Sequence, residues 1–197
     1  MAVHLTKIYT RTGDKGETAL SNFERVAKTD SRLAAYADCE ETNCHIGVAL
    51  TCDGIPDQVR AILQRVQNEL FDAGADLATP VEENPKWEPL RVAQSYIDAL
   101  EADCDVLNEQ LGKLDSFILP GGTPAAAHIN VARVVCRRAE RAAWQAISDH
   151  PETTSTLPAA YLNRLSDLLF IIGRVVNDGN DVLWVPGSGR GYSDASE

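Results

Sequence analysis

No run in this chain approaches the ~20 consecutive apolar residues needed to cross a bilayer. The amino end, MAVHLTKIYTRTGDKG, also lacks the apolar core of a secretory signal. A cytoplasmic protein is the expectation. Positive charge is in deficit: 18 lysines and arginines stand against 29 aspartates and glutamates, for a formal net charge of -11. Nucleic acid and anionic membrane are therefore poor partners, since both reward a basic surface. The five cysteines, at 39, 44, 52, 104 and 136, form no C-x-x-C pair and are odd in number. They read as small apolar residues in a reducing compartment, not as a disulfide framework. The four histidines make no H-E-x-x-H or related spacing, so no zinc held by protein ligands is expected. Also missing are a Walker A loop, an internal repeat and any alternating pattern strong enough to build a sheet.

What the chain does have is helical periodicity. At 197 residues it fits one domain with a real core. From about Ser31 to Leu50 the stripe Leu33, Ala37, Cys44 and Gly47 predicts a helix, with Glu40 falling on its buried face. A buried carboxylate needs a cation, and Arg133 is the leading candidate; the other reading places Glu40 at a rim that reaches water. Gly54-Ile55-Pro56 breaks the chain. A second helix, near Asp57 to Ala78, repeats on Val59, Ile62, Leu63, Val66, Leu70, Ala73 and Leu77. After the proline-rich TPVEENPKWEPL, a third helix spans about Arg91 to Leu111. A fifth, about Ala159 to Asn177, buries Leu165, Leu168, Leu169, Ile172 and Val176, with Asn163, Asp167 and Arg174 on the opposite face. Such a polar stripe faces solvent in a monomer and lines a shared cleft in an oligomer. Five amphipathic helices joined by short breaks predict an all-α, five-helix up-and-down bundle, a single domain over residues 1–186 with a flexible polar tail at 187–197.

The fourth helix carries the densest chemistry. In FILPGGTPAAAHINVARVVCRRAERAAW, residues 117–144, a turn at Pro120-Gly121-Gly122 precedes Thr123 as N-cap and Pro124 at the first helical position. Ala132, Val135, Cys136, Ala139 and Ala143 give an apolar stripe of mostly small side chains. Arg133, Arg137 and Glu140 form a second stripe beside it. Arg133, Arg137, Arg138 and Arg141 concentrate positive charge within nine residues of an acidic chain. Two readings are open: an anion site, in which guanidinium forks one turn apart meet phosphate oxygens, or a solvated face laced with Arg to Glu pairs.

Near the amino end, YTRTGDKGET (residues 9–18) is a glycine-punctuated loop of hydroxyls and charges. Backbone N–H and hydroxyl donors in such a loop can wrap a phosphate chain, and an exposed, mobile terminus is the competing reading. Residues 1–31 otherwise show no helical or strand period.

Together these blocks resemble the PduO-type ATP:cob(I)alamin (corrinoid) adenosyltransferases. The match runs from about Lys7 to Pro186 and rests on Tyr9 to Thr18, on Phe117 to Thr123 leading into RVVCRRAER (133–141), and on Tyr161-Leu162-Asn163-Arg164-Leu165-Ser166-Asp167. Arg25-Val26-Ala27-Lys28 and Gln67-Asn68-Glu69-Leu70-Phe71 also fit. The resemblance implies a ferritin-like, cobalamin adenosyltransferase-like bundle assembled as a homotrimer, with sites at subunit interfaces. It further implies ATP as co-substrate, a corrinoid as substrate, and Mg²⁺ held mainly by the phosphates. A corrinoid reductase and an adenosylcobalamin-dependent enzyme are the implied partners.

The loop at about 7–30 would order over ATP, with Thr10, Arg11, Thr12, Gly13, Lys15, Gly16 and Thr18 cradling the phosphates and Lys28 helping. Arg137 would contact the triphosphate, Arg133 would be held by Glu40 across the site, and Glu140 and Asn163 would lie at the nucleotide. Phe117 and Asp167 would face the corrin, Phe117 keeping its lower side apolar. The family's first-helix pattern, A-Y-G-T-V-D-E-L-N, reads here as Ala35-Tyr36-Ala37-Asp38-Cys39-Glu40-Glu41-Thr42-Asn43. Glu40 thus stands one methylene longer than the usual Asp. An ATP-binding oligomer that delivers adenosylcobalamin without making it is the alternative function.

Overall fold

The computed structural model describes residues 9–188, in which a short β-hairpin precedes five helices. The expected tail beyond residue 188 and the start of the expected loop at residues 7 and 8 lie outside them. The hairpin pairs β1 (Glu17–Ala19) antiparallel with β2 (Arg25–Ala27). The helices are α1 (Ser31–Leu50), α2 (Asp57–Leu77), α3 (Gln94–Asn108), α4 (Pro124–Asp149) and α5 (Leu157–Val175).

Their ends have local causes. Asp30 caps α1 by accepting the Arg32 N–H at 2.9 Å, and Thr123 caps α4 by accepting the Ala126 N–H at 3.1 Å. Each satisfies a donor that has no partner inside the helix. Pro124 occupies the first turn of α4, where its missing N–H removes nothing. Gly54, at φ 78°, takes the left-handed conformation that turns the chain between α1 and α2.

Packing places α4 between α1 and α5, antiparallel to both. Ala132, Cys136, Ala139 and Ala143 are wholly buried, and side chains this small let Ala35 and Cys39 of α1 approach closely. The apolar stripe of α2 is buried along its whole length, as its periodicity predicts. Each fully buried Leu or Ile there is worth ~1.5–3 kcal/mol. Polar pairs set the register between neighbours. Asn43 and Gln67 bond reciprocally across α1 and α2. Arg65 to Asp103 and Tyr96 to Asp72 link α2 to α3. Tyr161 of α5 donates to the Glu69 carboxylate of α2 at 3.0 Å inside the core.

Three local expectations are corrected. The inward face of α1 is Ala35, Cys39, Thr42, Asn43, Ile46 and Ala49, whereas Ala37, Glu40 and Cys44 are exposed. Apolar periodicity does not show this phase because Thr42 and Asn43 are buried polar residues: Thr42 bonds the Asp38 carbonyl and Asn43 bonds Gln67. The amino-terminal stretch holds the hairpin, whose three-residue strands are too short to show a period. Arg174 does not join the outer stripe of α5. It is buried, pairing with Asp181 at 2.7 Å.

Candidate active site

Arg133 and Arg137 lie one turn apart on α4, with Glu140 following. Across from them on α5, Asn163 donates from Nδ2 to Glu140 Oε1 at 3.1 Å. The Arg133 guanidinium lies 5.8 Å from the Phe170 ring centroid, and its buried Nε has no acceptor. Burial first, and repulsion from Arg137 second, lower its pKa below the ordinary guanidinium value. Arg137 is exposed, and its guanidinium makes no hydrogen bond or ion pair among the described residues. Arg138, by contrast, is engaged by Asp38 at 3.3 Å and by Glu41. The solvated Arg to Glu face expected as one reading is therefore true of Arg138. For Arg133 and Arg137 the arrangement leaves two guanidiniums, one with a buried donor lacking an acceptor, able to receive an anion.

Phe117 stands at the edge of this surface, 78% exposed, so it is not a core residue. Its backbone is held in a short ladder: Leu119 N–H donates to Val182 O at 2.8 Å, and Trp184 N–H donates to Phe117 O at 2.7 Å. Its ring is 6.1 Å from that of Trp184. Phe117, Phe170 and Trp184 line one groove with Leu114 and Pro186. Phe170 is thus common to the aromatic groove and to the Arg133 guanidinium. Asp167 is salt-bridged to Arg164 at 3.0 Å, and Arg164 also reaches Glu101 at 3.0 Å. Sequence reasoning missed Phe170 and Trp184. The available signal was that Phe170 falls three and seven residues beyond Asp167 and Asn163, on the same helix face. Trp184 gave no signal, because its position depends on a pairing between distant segments.

The amino-terminal loop is built by the hairpin. Lys28 N–H donates to Gly16 O at 2.8 Å, immediately beyond the paired strands. This brings the Lys28 ammonium over Gly13, where an added Cβ would stand only 3.0 Å from Nζ. Gly16 turns the loop at φ 81° and bonds back to Gly13 O at 3.2 Å. The Thr10 and Thr12 hydroxyls are 2.9 Å apart. Arg11, at φ 62°, lies 5.8 Å from the Tyr9 ring. Arg25 donates to Thr12 O at 3.1 Å and pairs with Glu17 at 3.3 Å, tying strand to loop. Thr18 is half-buried and Lys15 exposed. Hydroxyls, backbone donors and two ammonium groups thus gather around one turn, the pattern that suits phosphate oxygens.

Among the described residues no hydrogen bond or ion pair joins the loop to Arg133 or Arg137. The hairpin tip is tied to the end of α2 through Ser21 N–H to Ala78 O at 3.1 Å and Ser21 Oγ to Thr79 Oγ1 at 2.8 Å. Glu40 opens into a groove between α1 and α2 that is lined by Tyr36, Asn43, Leu70 and Phe71. Arg133 packs on α5 instead, so the expected Glu40 to Arg133 pair is not made within the chain. No group of three or more His, Cys, Asp or Glu suited to a metal ion occurs among the described residues.

Comparison with known proteins gives the family. The cobalamin adenosyltransferase family model matches residues 8–176. The corrinoid adenosyltransferase of Mycobacterium tuberculosis is 63% identical over 191 residues, covering 96% of this chain and 98% of that protein. The cobalamin adenosyltransferase of Cupriavidus metallidurans is 43% identical over 187 residues, covering 93% of this chain and 97% of its own. Among solved structures, a phenylalanine-to-alanine variant of the PduO-type ATP:corrinoid adenosyltransferase from Lactobacillus reuteri, complexed with cobalamin and ATP, superposes with a TM-score of 0.83 at 33% identity, covering 90% of this chain and 99% of that one. With the family model matched over most of its length and these relatives matched nearly end to end, the chain belongs to the cobalamin adenosyltransferase family.

Proposed function

We propose that this chain transfers the 5′-deoxyadenosyl group of ATP to the Co(I) of cobalamin or a related corrinoid. The observation that carries the reading is the shared Phe170. On one side it supports Arg133, one turn from the exposed Arg137, and on the other it lines an aromatic groove with Phe117. One site thus offers cationic forks for a triphosphate beside an apolar surface for a corrin.

The cobalt lone pair attacks C5′. A Co–C bond forms as the C5′–O bond breaks, the bonding electrons leave with triphosphate, and cobalt passes from Co(I) to Co(III). Co(I) is itself a strong nucleophile, so no general base is needed, and the protein's task is alignment and stabilisation of the leaving charge. Arg137, Lys15 and Lys28 take that charge with Mg²⁺ on the phosphates. Thr10, Thr12, Gly13, Gly16 and Thr18 wrap the chain of phosphates, and Asn163 and Glu140 face the nucleotide. Phe117 keeps a ligand away from the lower side of the corrin, which makes Co(II) easier to reduce.

The site is shared between chains of a homotrimer, where the loop of one subunit closes on α4 of its neighbour. Glu40, exposed and without a cation partner among the described residues, then meets the buried Arg133 Nε of that neighbour. A reductase that supplies Co(I) in the cytoplasm and an adenosylcobalamin-dependent enzyme that takes the product are the matching partners. Incubation with ATP and chemically reduced cobalamin tests the reading. The corrin absorbance should convert to that of adenosylcobalamin with release of triphosphate. Tight binding of ATP and adenosylcobalamin without conversion would indicate the delivery module instead.

A further inference from the structure

We infer that the buried Arg174–Asp181 ion pair is the positioning device for Phe117, an inference that rests on the corrin reading of the groove. An aromatic ring that is 78% exposed gains little from packing beyond its contact with Trp184, so its place is set largely through the backbone of the two segments that carry the pair. The backbone of Phe117 belongs to a ladder of two N–H to O bonds with residues 182–184. A two-stranded ladder of that length is marginal in water on its own.

Both strands are anchored to the end of α5 by one side chain. Arg174 Nε donates to Asp181 Oδ2 at 2.7 Å, one residue before the ladder. Its Nη2 donates to the Gly112 carbonyl at 2.9 Å, in the segment that leads to Phe117. The two side chains of the pair are only 7% and 8% exposed, so neither is a loose surface contact. The far end of the Phe117 segment is fixed to the same helix terminus: Thr123 N–H donates to Asn177 Oδ1 at 3.1 Å and Thr123 Oγ1 to Val176 O at 3.0 Å. Residues 112–123 and 181–184 therefore share one foundation, with Arg174 at its centre. None of these groups touches the groove. Their effect on the reaction passes through where Phe117 and Trp184 stand.

Two assays on the assembled protein separate this role from simple structural support. In the first, cobalamin is supplied already reduced to Co(I), which needs no help from Phe117. In the second, Co(II)cobalamin is supplied with a mild reductant, which does. Asp181→Asn is expected to lower the Co(II) rate at least tenfold, with the Co(I) rate and the KM for ATP within threefold of the parent. The spectrum of bound Co(II)cobalamin should shift towards that of the axially ligated form. Asp181→Glu, which restores the charge, should recover most of the Co(II) rate. A Tm measurement, and the double exchange Arg174→Met with Asp181→Leu, guard against a variant that merely unfolds: the exchange keeps apolar packing but should still lose the Co(II) route. A proportional fall of both rates with Tm, or no fall in either, would overturn the inference. If the parent protein converts no Co(I), the functional reading has failed and not the positioning role.

Discussion

Arg137 and Arg138 are adjacent in the chain and opposite in circumstance. Arg138 is tied to Asp38 and Glu41 of α1, while Arg137 has no carboxylate among the described residues. Removing a preorganised donor to a leaving group costs about 3–4 kcal/mol of barrier, or roughly 10²–10³ in kcat. Arg137→Ala is therefore expected to lose that much kcat at unchanged Tm. Arg138→Ala removes only half-exposed pairs worth about 0–1 kcal/mol and should keep most of the activity. Equal losses in the two variants, measured with Co(I) and ATP, would count against the assignment.

A second residue couples charge to stability. The Arg32 guanidinium, bonded to Asp30 at 2.8 and 3.0 Å, lowers the Asp30 pKa from 3.8 to about 2. A depressed carboxyl pKa gives stability that is full above about 3.8 and is lost as pH falls through about 2. Asp30→Asn keeps the helix cap but should flatten that part of the melting temperature against pH. An unchanged slope would remove Asp30 from the acid response.

At the scale of elements, the hairpin is what gives the loop at residues 9–16 its shape. Arg25→Ala cuts the bonds to Thr12 O and Glu17 and should raise the KM for ATP several-fold, with helix content by circular dichroism unchanged. An unaltered KM would mean that the loop is shaped without the strand. The turn before α4 is more brittle. Gly122 stands at φ 95°, and a Cβ there would meet Asn177 Oδ1 at 2.0 Å. Gly122→Ala should destabilise by about 1–3 kcal/mol in urea titration.

The helices are legible in the sequence because burial repeats along them: every residue of the apolar stripes named for α2 and α4 is buried. The capping of α4 by Thr123 was legible too, since it is local chemistry. α1 was misphased because alanine and cysteine occur on both of its faces and its core includes Thr42 and Asn43. The hairpin, the Phe117 to Trp184 pairing and the burial of Arg174 all depend on partners distant in sequence. Periodicity carries no information about these.

For the molecule as a whole, the decisive feature is that the parts of the candidate site stand on different elements of the chain. The loop with Lys28 and the groove with Glu40 lie against α1 and α2, whereas Arg133 leans on Phe170 of α5. If neighbouring subunits supply the two halves, two crippled variants should complement each other. Lys15→Ala with Lys28→Ala damages only the loop, and Arg137→Ala damages only α4. Unfolded and reassembled together in equal amounts, they should form a cyclic oligomer in which about a quarter of the interfaces carry both intact halves. Activity should rise accordingly, and a mixture no better than its components would point to a site within one chain.

The most direct measurement is a structure of the assembled protein with ATP bound. The triphosphate is expected between residues 10–18 and Lys28 of one subunit and Arg137 of the next, with C5′ directed toward the Phe117 groove. ATP found away from either the loop or Arg137, or held with C5′ turned away from that groove, would contradict it.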